Sequence, residues 1–304
     1  MATKLKMKNY VNLCISAVVL VLIYACKTEK DHPKKKDDVK QDSLYFGYKP
    51  PGLIPEPFVP KTSSTVDWTL GNPDALDMQE FYFTYSGTNP FEPAVIVYKQ
   101  GANSYRTNKY KFQSRGSKND TILYSRQNYI ERTATGWSKM KSLGAMFNRN
   151  DWGIMVLSVS DKGTIVFDDY KNNDVIRMSR IVDGKREAPK LLGKQINSGK
   201  WTAHPFIAPD ESFLIWGSER DDGYGRSDNY ISFKQRDGSW GPAINMGDKI
   251  NSKLVENGAK LTPDGKYLLF SRSEEKSRDD GSTYWVSYKY WVDAKIIDTL
   301  RPKA

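Results

Sequence analysis

The stretch that decides the fold is Trp201 to Arg272, WTAHPFIAPDESFLIWGSERDDGYGRSDNYISFKQRDGSWGPAINMGDKINSKLVENGAKLTPDGKYLLFSR. Pro209-Asp210 and Pro263-Asp264 are each followed, six residues after the aspartate, by an aromatic that closes an apolar run, Trp216 and Phe270. Between them stand Asp237-Gly238-Ser239-Trp240-Gly241-Pro242, then Met246-Gly247 and Ile250-Asn251-Ser252. A repeat of about fifty residues built from short apolar strands and Asp-Gly turns is the mark of a propeller or solenoid.

The same landmarks extend toward the N-terminus. Asp161 precedes Phe167 by six residues and Asp77 precedes Phe83 by six. Leu143-Gly144, Leu192-Gly193 and Met246-Gly247 are separated by 49 and 54 residues, as are Asp161, Asp210 and Asp264. Gln195-Ile196-Asn197-Ser198 recurs 54 residues later as Lys249-Ile250-Asn251-Ser252. Asp77 and Asp161 are 84 apart, and a degenerate copy fits midway at Asn119, followed by Ile122-Leu123-Tyr124, Tyr129 to Arg132 and Gly136-Trp137.

Five units result, starting near Asp77, Asn119, Asp161, Asp210 and Asp264. Each reads as four strands, exemplified by His204 to Ala208, the apolar run to Trp216, Asn229 to Lys234, and Trp240 to Met246. Asp-Gly between two strands signals a hairpin whose turn takes φ > 0 at both central residues. Four-stranded antiparallel sheets repeated radially make a β-propeller, so the expected fold is all-β with five blades. A sixth blade is the alternative if the Pro-rich segment forms one. The last unit is followed by VDAKIIDTLRPKA, read as a short helix, and lacks a fourth strand. An N-terminal segment is expected to supply it.

The chain before the repeats divides into three parts. Residues 1–25 carry Lys4, Lys6 and Lys8, then a mostly apolar run of about fourteen residues, too short for a span of about twenty. A basic start, short apolar core and small residue make a secretory signal. Residues 26–42 include KTEKDHPKKKDDVKQ, a charged tether that cannot bury anything. Residues 43–64 hold five prolines between Pro50 and Pro60. Proline fixes φ and removes a donor, so this strap is extended and not a central strand. The propeller occupies 65–304.

Two cysteines, Cys14 and Cys26, and two histidines, His32 and His204, are all the chain has of these types. Disulfides therefore cannot hold the propeller, and a Cys/His zinc site is excluded. The net charge of +10 is interspersed, as on an ordinary solvated surface. Removing Lys4, Lys6 and Lys8 with a leader would leave about +7. Export disfavours nucleic acid, and no glycine-rich phosphate loop is present.

Ala208 to Trp216 and Thr262 to Phe270 carry a Ser/Thr/Ala-Pro-Asp-Gly/Glu-x-x-Leu/Ile-x-Phe/Trp motif. They resemble the TolB-type, WD-like propeller repeats of Gram-negative lipoproteins over about residues 45–302. Ile23-Tyr24-Ala25-Cys26 resembles a bacterial lipobox, which implies cleavage before Cys26 and lipid on that residue. The resemblance implies an exported, membrane-anchored protein on the periplasmic or surface face, and Lys27 after the cysteine favours the outer membrane. Such propellers mostly serve as binding platforms.

Candidate ligand-binding residues are Glu219, Arg220, Asp221 and Asp222 in the loop of the fourth unit, with His204 and Glu256 on innermost strands. Asp221, Asp222 and Asp228 could hold Ca²⁺ through oxygen, but their spacing matches no EF-type loop. Asp168-Asp169 occupies the corresponding loop of the third unit in this reading. Serine–histidine–acid catalysis would need His204, and no GxSxG elbow accompanies it. Trp137, Trp216 and Trp240 stand at repeat positions and read as blade packing. The expected function is a non-catalytic platform for an envelope protein or glycan, with no cofactor and no resident metal. A propeller-type hydrolase is the alternative.

Overall fold

The computed structural model describes residues 49–58, 74–77, 80–85, 94–99, 105–107, 122–134, 136–262 and 264–303. The leader, the tether with His32, Cys26 and the degenerate Asn119 landmark lie outside the described residues.

Among the described residues, five four-stranded antiparallel sheets follow one another along the chain. Blade 1 is Asp74–Asp77, Glu80–Tyr85, Ala94–Lys99 and Tyr105–Thr107. Blade 2 is Ile122–Ser125 and Asn128–Thr133, with Gly136–Trp137 and Lys141–Ser142 both pairing the latter. Blade 3 is Leu157–Val159, Ile165–Asp169, Val175–Ser179 and Lys190–Leu191, with a side hairpin of Ile181–Val182 and Lys185–Arg186. Blade 4 is Lys200–Ile207, Phe213–Glu219, Asp228–Phe233 and Ile244–Asn245. Blade 5 is Val255–Leu261, Tyr267–Ser277 and Thr283–Asp293, followed by the helix Ile296–Thr299. The first strands of blades 3, 4 and 5 pack side by side. The fold is a β-propeller.

In its described residues the Pro-rich segment supplies one strand of blade 5 and not a blade of its own. Glu56–Pro57 pairs antiparallel with Thr283–Asp293 and becomes the fourth strand of blade 5. An edge is where proline is tolerated, because the missing donor faces away from the ladder. Phe58 is buried, donates its N–H to Lys289 O at 2.8 Å and packs its ring 5.1 Å from that of Trp291.

The runs FLIW and YLLF do not alternate with polar residues because both faces of a blade are covered. Leu214 and Trp216 pack with Val166, Ile176 and Ile207 between blades 3 and 4. Phe213 and Ile215 face the other way, onto Leu268, Phe270 and Val292 of blade 5. Successive residues of one strand thus serve two cores.

The Leu-Gly and Ile-Asn landmarks form one device. In Leu192-Gly193-Lys194-Gln195-Ile196-Asn197 the N–H groups of Ile196 and Asn197 both donate to Gly193 O at 3.0 Å. Ile250 and Asn251 do the same with Gly247 O, at 3.1 and 2.8 Å, and Phe147 and Asn148 with Gly144 O, at 3.1 and 3.0 Å. The plugs Phe147, Ile196 and Ile250 are fully buried. Asn197 Oδ1 accepts from Ile176 N while its Nδ2 donates to Ile176 O. Asn251 treats Asn229 identically, so each amide stands in for a strand's backbone.

The Asp-Gly turns divide by loop length. Asp183-Gly184 has φ of +50 and +73, the expected two-residue form. At Asp237-Gly238 only the glycine is left-handed, φ +83, and Gln235 N bonds Ser239 O across a three-residue loop. That is a type I turn followed by a bulge, and Asp237 Oδ1 caps it by accepting from Ser239 N and Oγ. Trp240 makes only an isolated bridge to Lys234, so the fourth strand is the shorter Ile244–Asn245. Asp168 and Asp169 lie inside the second strand of blade 3 and are buried, not in its loop.

The landmark aspartates fix the turn before the second strand. Asp210 Oδ1 accepts from Ser212 N at 2.9 Å, and Asp264 Oδ1 from Lys266 N at 3.2 Å. The residue that closes this turn is left-handed in blades 3, 4 and 5: Gly163, two after Asp161, and Glu211 and Gly265, one after Asp210 and Asp264, at φ +79, +66 and +71. Glu211 holds this position because its buried carboxylate ties blades together, accepting from Ser160 Oγ at 2.8 Å and Lys234 Nζ at 2.7 Å.

Asp264→Ala should lower unfolding free energy by about 1–2 kcal/mol in urea titration, the cost of freeing the turn donors. Phe58→Ala should lower it by about 3 kcal/mol, because a buried ring is removed where an N-terminal strand completes the last blade.

Candidate functional site

Blade 4 presents an open cleft of about 720 Å³ at the end carrying its second-to-third strand loop. Ser198, Gly199 and Lys200 form one wall, and Glu219 to Gly225 form the other. Four sequence candidates, Glu219, Arg220, Asp221 and Asp222, therefore share one cavity. Lys200 and Glu219 are cross-strand partners with charged groups 3.5 Å apart. Such a pair on a wet surface contributes little stability.

Arg220 is held on both sides. Its Nη2 donates to Ile196 O at 3.0 Å, and its guanidinium lies 4.5 Å from the Tyr230 ring centroid and 5.7 Å from that of Trp216. Burial lowers its pKa. Tyr230 is almost fully buried and donates its hydroxyl to Asp222 Oδ1 at 3.2 Å. Burial, with a smaller contribution from the Asp222 carboxylate, pushes that phenol up to about 12.

Asp228, fully buried, closes the loop from beneath. Oδ2 accepts from Tyr224 N at 2.6 Å and Asn245 Nδ2 at 2.7 Å, and Oδ1 from Gly225 N at 3.2 Å. It is not a surface ligand. Among the described residues no group of three His, Cys, Asp or Glu could hold a metal ion.

His204 and Glu256 are not on the cleft. Glu256 is fully buried, accepting from Arg272 Nε at 2.7 Å, Ser252 Oγ at 2.6 Å and Ser252 N at 3.0 Å. His204 sits at a bulge with φ +55, and its N–H donates to Asp168 Oδ2 at 3.0 Å. Asp168 Oδ1 accepts from Met155 N at 2.8 Å and Val156 N at 2.9 Å, so one buried carboxylate joins blades 3 and 4. Burial drives the His204 imidazole below its usual range, against the pull of Asp168 and with help from Lys289. Burial also pushes the Asp168 carboxyl up, against His204 and its three amide donors.

Sequence reasoning missed two lining residues, Lys200 and Tyr224, and the exposed Trp201 next to Lys200; Tyr224 is 51% and Trp201 63% exposed. Their signal was negative: both aromatics lie outside the positions the repeat fixes. Trp216 is fully buried and Trp240 packs against the same interblade core.

Blade 5 has Gly258, φ +63, at the bulge that His204 occupies in blade 4. His204→Gly should therefore stay within about 1 kcal/mol of the parent, since glycine adopts this conformation freely. Asp168→Ala should cost roughly 3 kcal/mol or more by leaving three amides unpaired. Paired urea melts would show the contrast, and equal losses would mean the His204 ring itself holds the frame.

No family model and no curated protein matches the sequence. Among solved structures, TolB from Agrobacterium tumefaciens is 11% identical, TM-score 0.42, over 73% of this chain and 89% of its own. TolB from Acinetobacter baumannii is 13% identical, TM-score 0.42, over 71% of this chain, which spans 54% of its length. A calcium-binding protein, regucalcin from Agrobacterium tumefaciens, is 13% identical, TM-score 0.40, over 79% and 75%. The chain is a β-propeller, and these solved structures are what it is similar to.

Proposed function

We propose that the protein is a lipid-anchored envelope platform that binds its ligand in the blade 4 cleft and does not transform it. The observation that carries this reading is the way the cleft is built. Its walls are locked by Arg220 and Asp228 while its lining stays open and polar. His204, the one histidine of the propeller, is committed through its backbone to Asp168 and stands off the cleft, away from Glu219 and Asp222. The anchor and location rest on the lipobox at Cys26, the charged tether and the basic leader. No described helix is long and apolar enough to cross a membrane.

A hydrolase is the second reading, favoured by one fact: Glu219, Asp221 and Asp222 share a cleft, and glycoside hydrolysis uses two carboxylates. A panel of chromogenic glycosides and peptides separates the two. Turnover abolished by Asp222→Asn, with unchanged melting, would establish the hydrolase and end the platform reading. Anchoring is tested separately: radiolabelled palmitate should enter the parent and not Cys26→Ser, and the variant should leave the membrane fraction. Equal labelling of both would place the anchor elsewhere.

A further inference from the structure

Blade 4 holds a strained residue that its packing does not explain. Along Lys200–Ile207 the register shifts twice: Lys200 to Ala203 opposes Glu219 to Gly217, and Ala203 to Phe206 opposes Gly217 to Ile215. In each case three residues span the length of two, a bulge, and each bulge holds a left-handed residue, Trp201 at φ +54 and His204 at φ +55. The second bulge recurs in blade 5 at Gly258 and so belongs to the frame. The first does not: Val255, Glu256 and Asn257 pair with Ser273, Arg272 and Ser271 without a shift. A bulky residue at positive φ is a genuine outlier. Burial does not offset the strain, because Trp201 is 63% exposed. Bulges next to sites re-aim a side chain, and strain of this kind concentrates where ligands are held.

Trp201 directly follows Lys200 of the cleft wall, and Tyr224, 51% exposed, belongs to the opposite wall. The Asp228 carboxylate fixes the Tyr224 backbone from below. Beside Tyr224 the lining offers carboxylate acceptors at Glu219, Asp221 and Asp222 and cationic donors at Lys200 and Arg220, with the exposed Trp201 next to Lys200 at the rim.

Resting on the platform reading, we infer that this cleft binds a neutral oligosaccharide. Sugar rings stack their C–H faces on Trp201 and Tyr224, and their hydroxyls, which both donate and accept, match the mixed lining. Other ligands fit worse. A polyanion would meet three carboxylates against two cations. A peptide needs a desolvated pocket for an anchor side chain, and no Val, Leu, Ile, Met or Phe lines the cleft. The occupant is bound by edges and ring faces.

The test uses the full chain in detergent, with affinity electrophoresis through neutral β-glucan, mannan and amylose and through anionic polygalacturonate, followed by calorimetry with the retained polymer's oligosaccharide. The parent should be retained by a neutral polymer. Tyr224→Ala and Trp201→Gly should each weaken binding by about tenfold or more, as aromatic anchors do. Trp201→Gly should melt at or above the parent temperature, because glycine takes the left-handed bulge without strain. Retention by no neutral polymer, stronger retention by polygalacturonate, or unchanged affinity in both variants would overturn the inference. Chromatography of the bound oligosaccharide keeps the two readings apart. Shortened products would uphold the glycan ligand and end the non-catalytic reading. Loss of an envelope protein on Tyr224→Ala, with no glycan bound, would end the glycan inference and leave the platform standing.

Discussion

The second strands of blades 3, 4 and 5 open with apolar runs buried on both faces, and the packing of those blades answers to that constraint. Phe213-Leu214-Ile215-Trp216 cannot be satisfied by one core, because alternate residues point to opposite sides of the sheet. A single blade would leave one face in water, so blades exist only in sequence, each completing its neighbour. The buried plugs Phe147, Ile196 and Ile250 seal the seams where one blade passes to the next. Burial of this apolar surface supplies the stability, while polar groups caught between blades set register. Asp168, Glu211 and Glu256 all belong to that second class. Charges buried in this way are weak evidence of net stabilisation, but removing a partner leaves an expensive orphan.

The left-handed residues separate frame from site. Gly163 and Gly265 occupy the turn before the second strand because glycine pays no steric penalty there. Glu211 takes the same position, and its carboxylate bonds to Ser160 and Lys234 account for the exception. His204 takes the place of Gly258, and the bond from its backbone to Asp168 accounts for that one. Trp201 has neither a glycine counterpart in blade 5 nor burial. Of the three left-handed non-glycine residues of blade 4, the frame accounts for two and not for Trp201, which is the ground for inferring ligand contact there.

What the sequence could reveal followed the repeat. Landmarks at 49 and 54 residues disclosed the blades, because a seam that recurs needs the same residues in the same order. Contiguous candidates, Glu219 to Asp222, were legible as a group since a single loop carries them. Asp168 and Asp169 were not legible as buried. Two acids at the end of an apolar run read as a loop unless converging amides are visible, and here they come from Met155, Val156 and His204. The Asp237-Gly238 turn misled for a related reason: the dipeptide is shared by two hairpin forms, and loop length decides which forms. Trp201 and Tyr224 escaped because exposure and register shifts are properties of strand pairing, not of residue spacing.

The cleft is open to solvent, yet its loop is not free to move independently of the core. Tyr224 N bonds to Asp228, Asp228 accepts from Asn245, Asn245 accepts from Asn251, and Asn251 brackets the backbone of Asn229. Asn251 belongs to the seam device between blades 4 and 5, so the loop is tied through three side chains, Asp228, Asn245 and Asn251, to the interblade frame. Arg220 makes a second tie, from the opposite side, to the plug Ile196. A wall fixed at both ends loses little conformational freedom when a ligand arrives, and that freedom is one of the main costs of association. Weak contacts, such as hydroxyl bonds and stacking on a partly exposed ring, then suffice for selective binding. On the proposed reading the propeller's rigidity is part of the recognition chemistry, because it would let a shallow polar cleft hold a ligand that a mobile loop of the same composition would release.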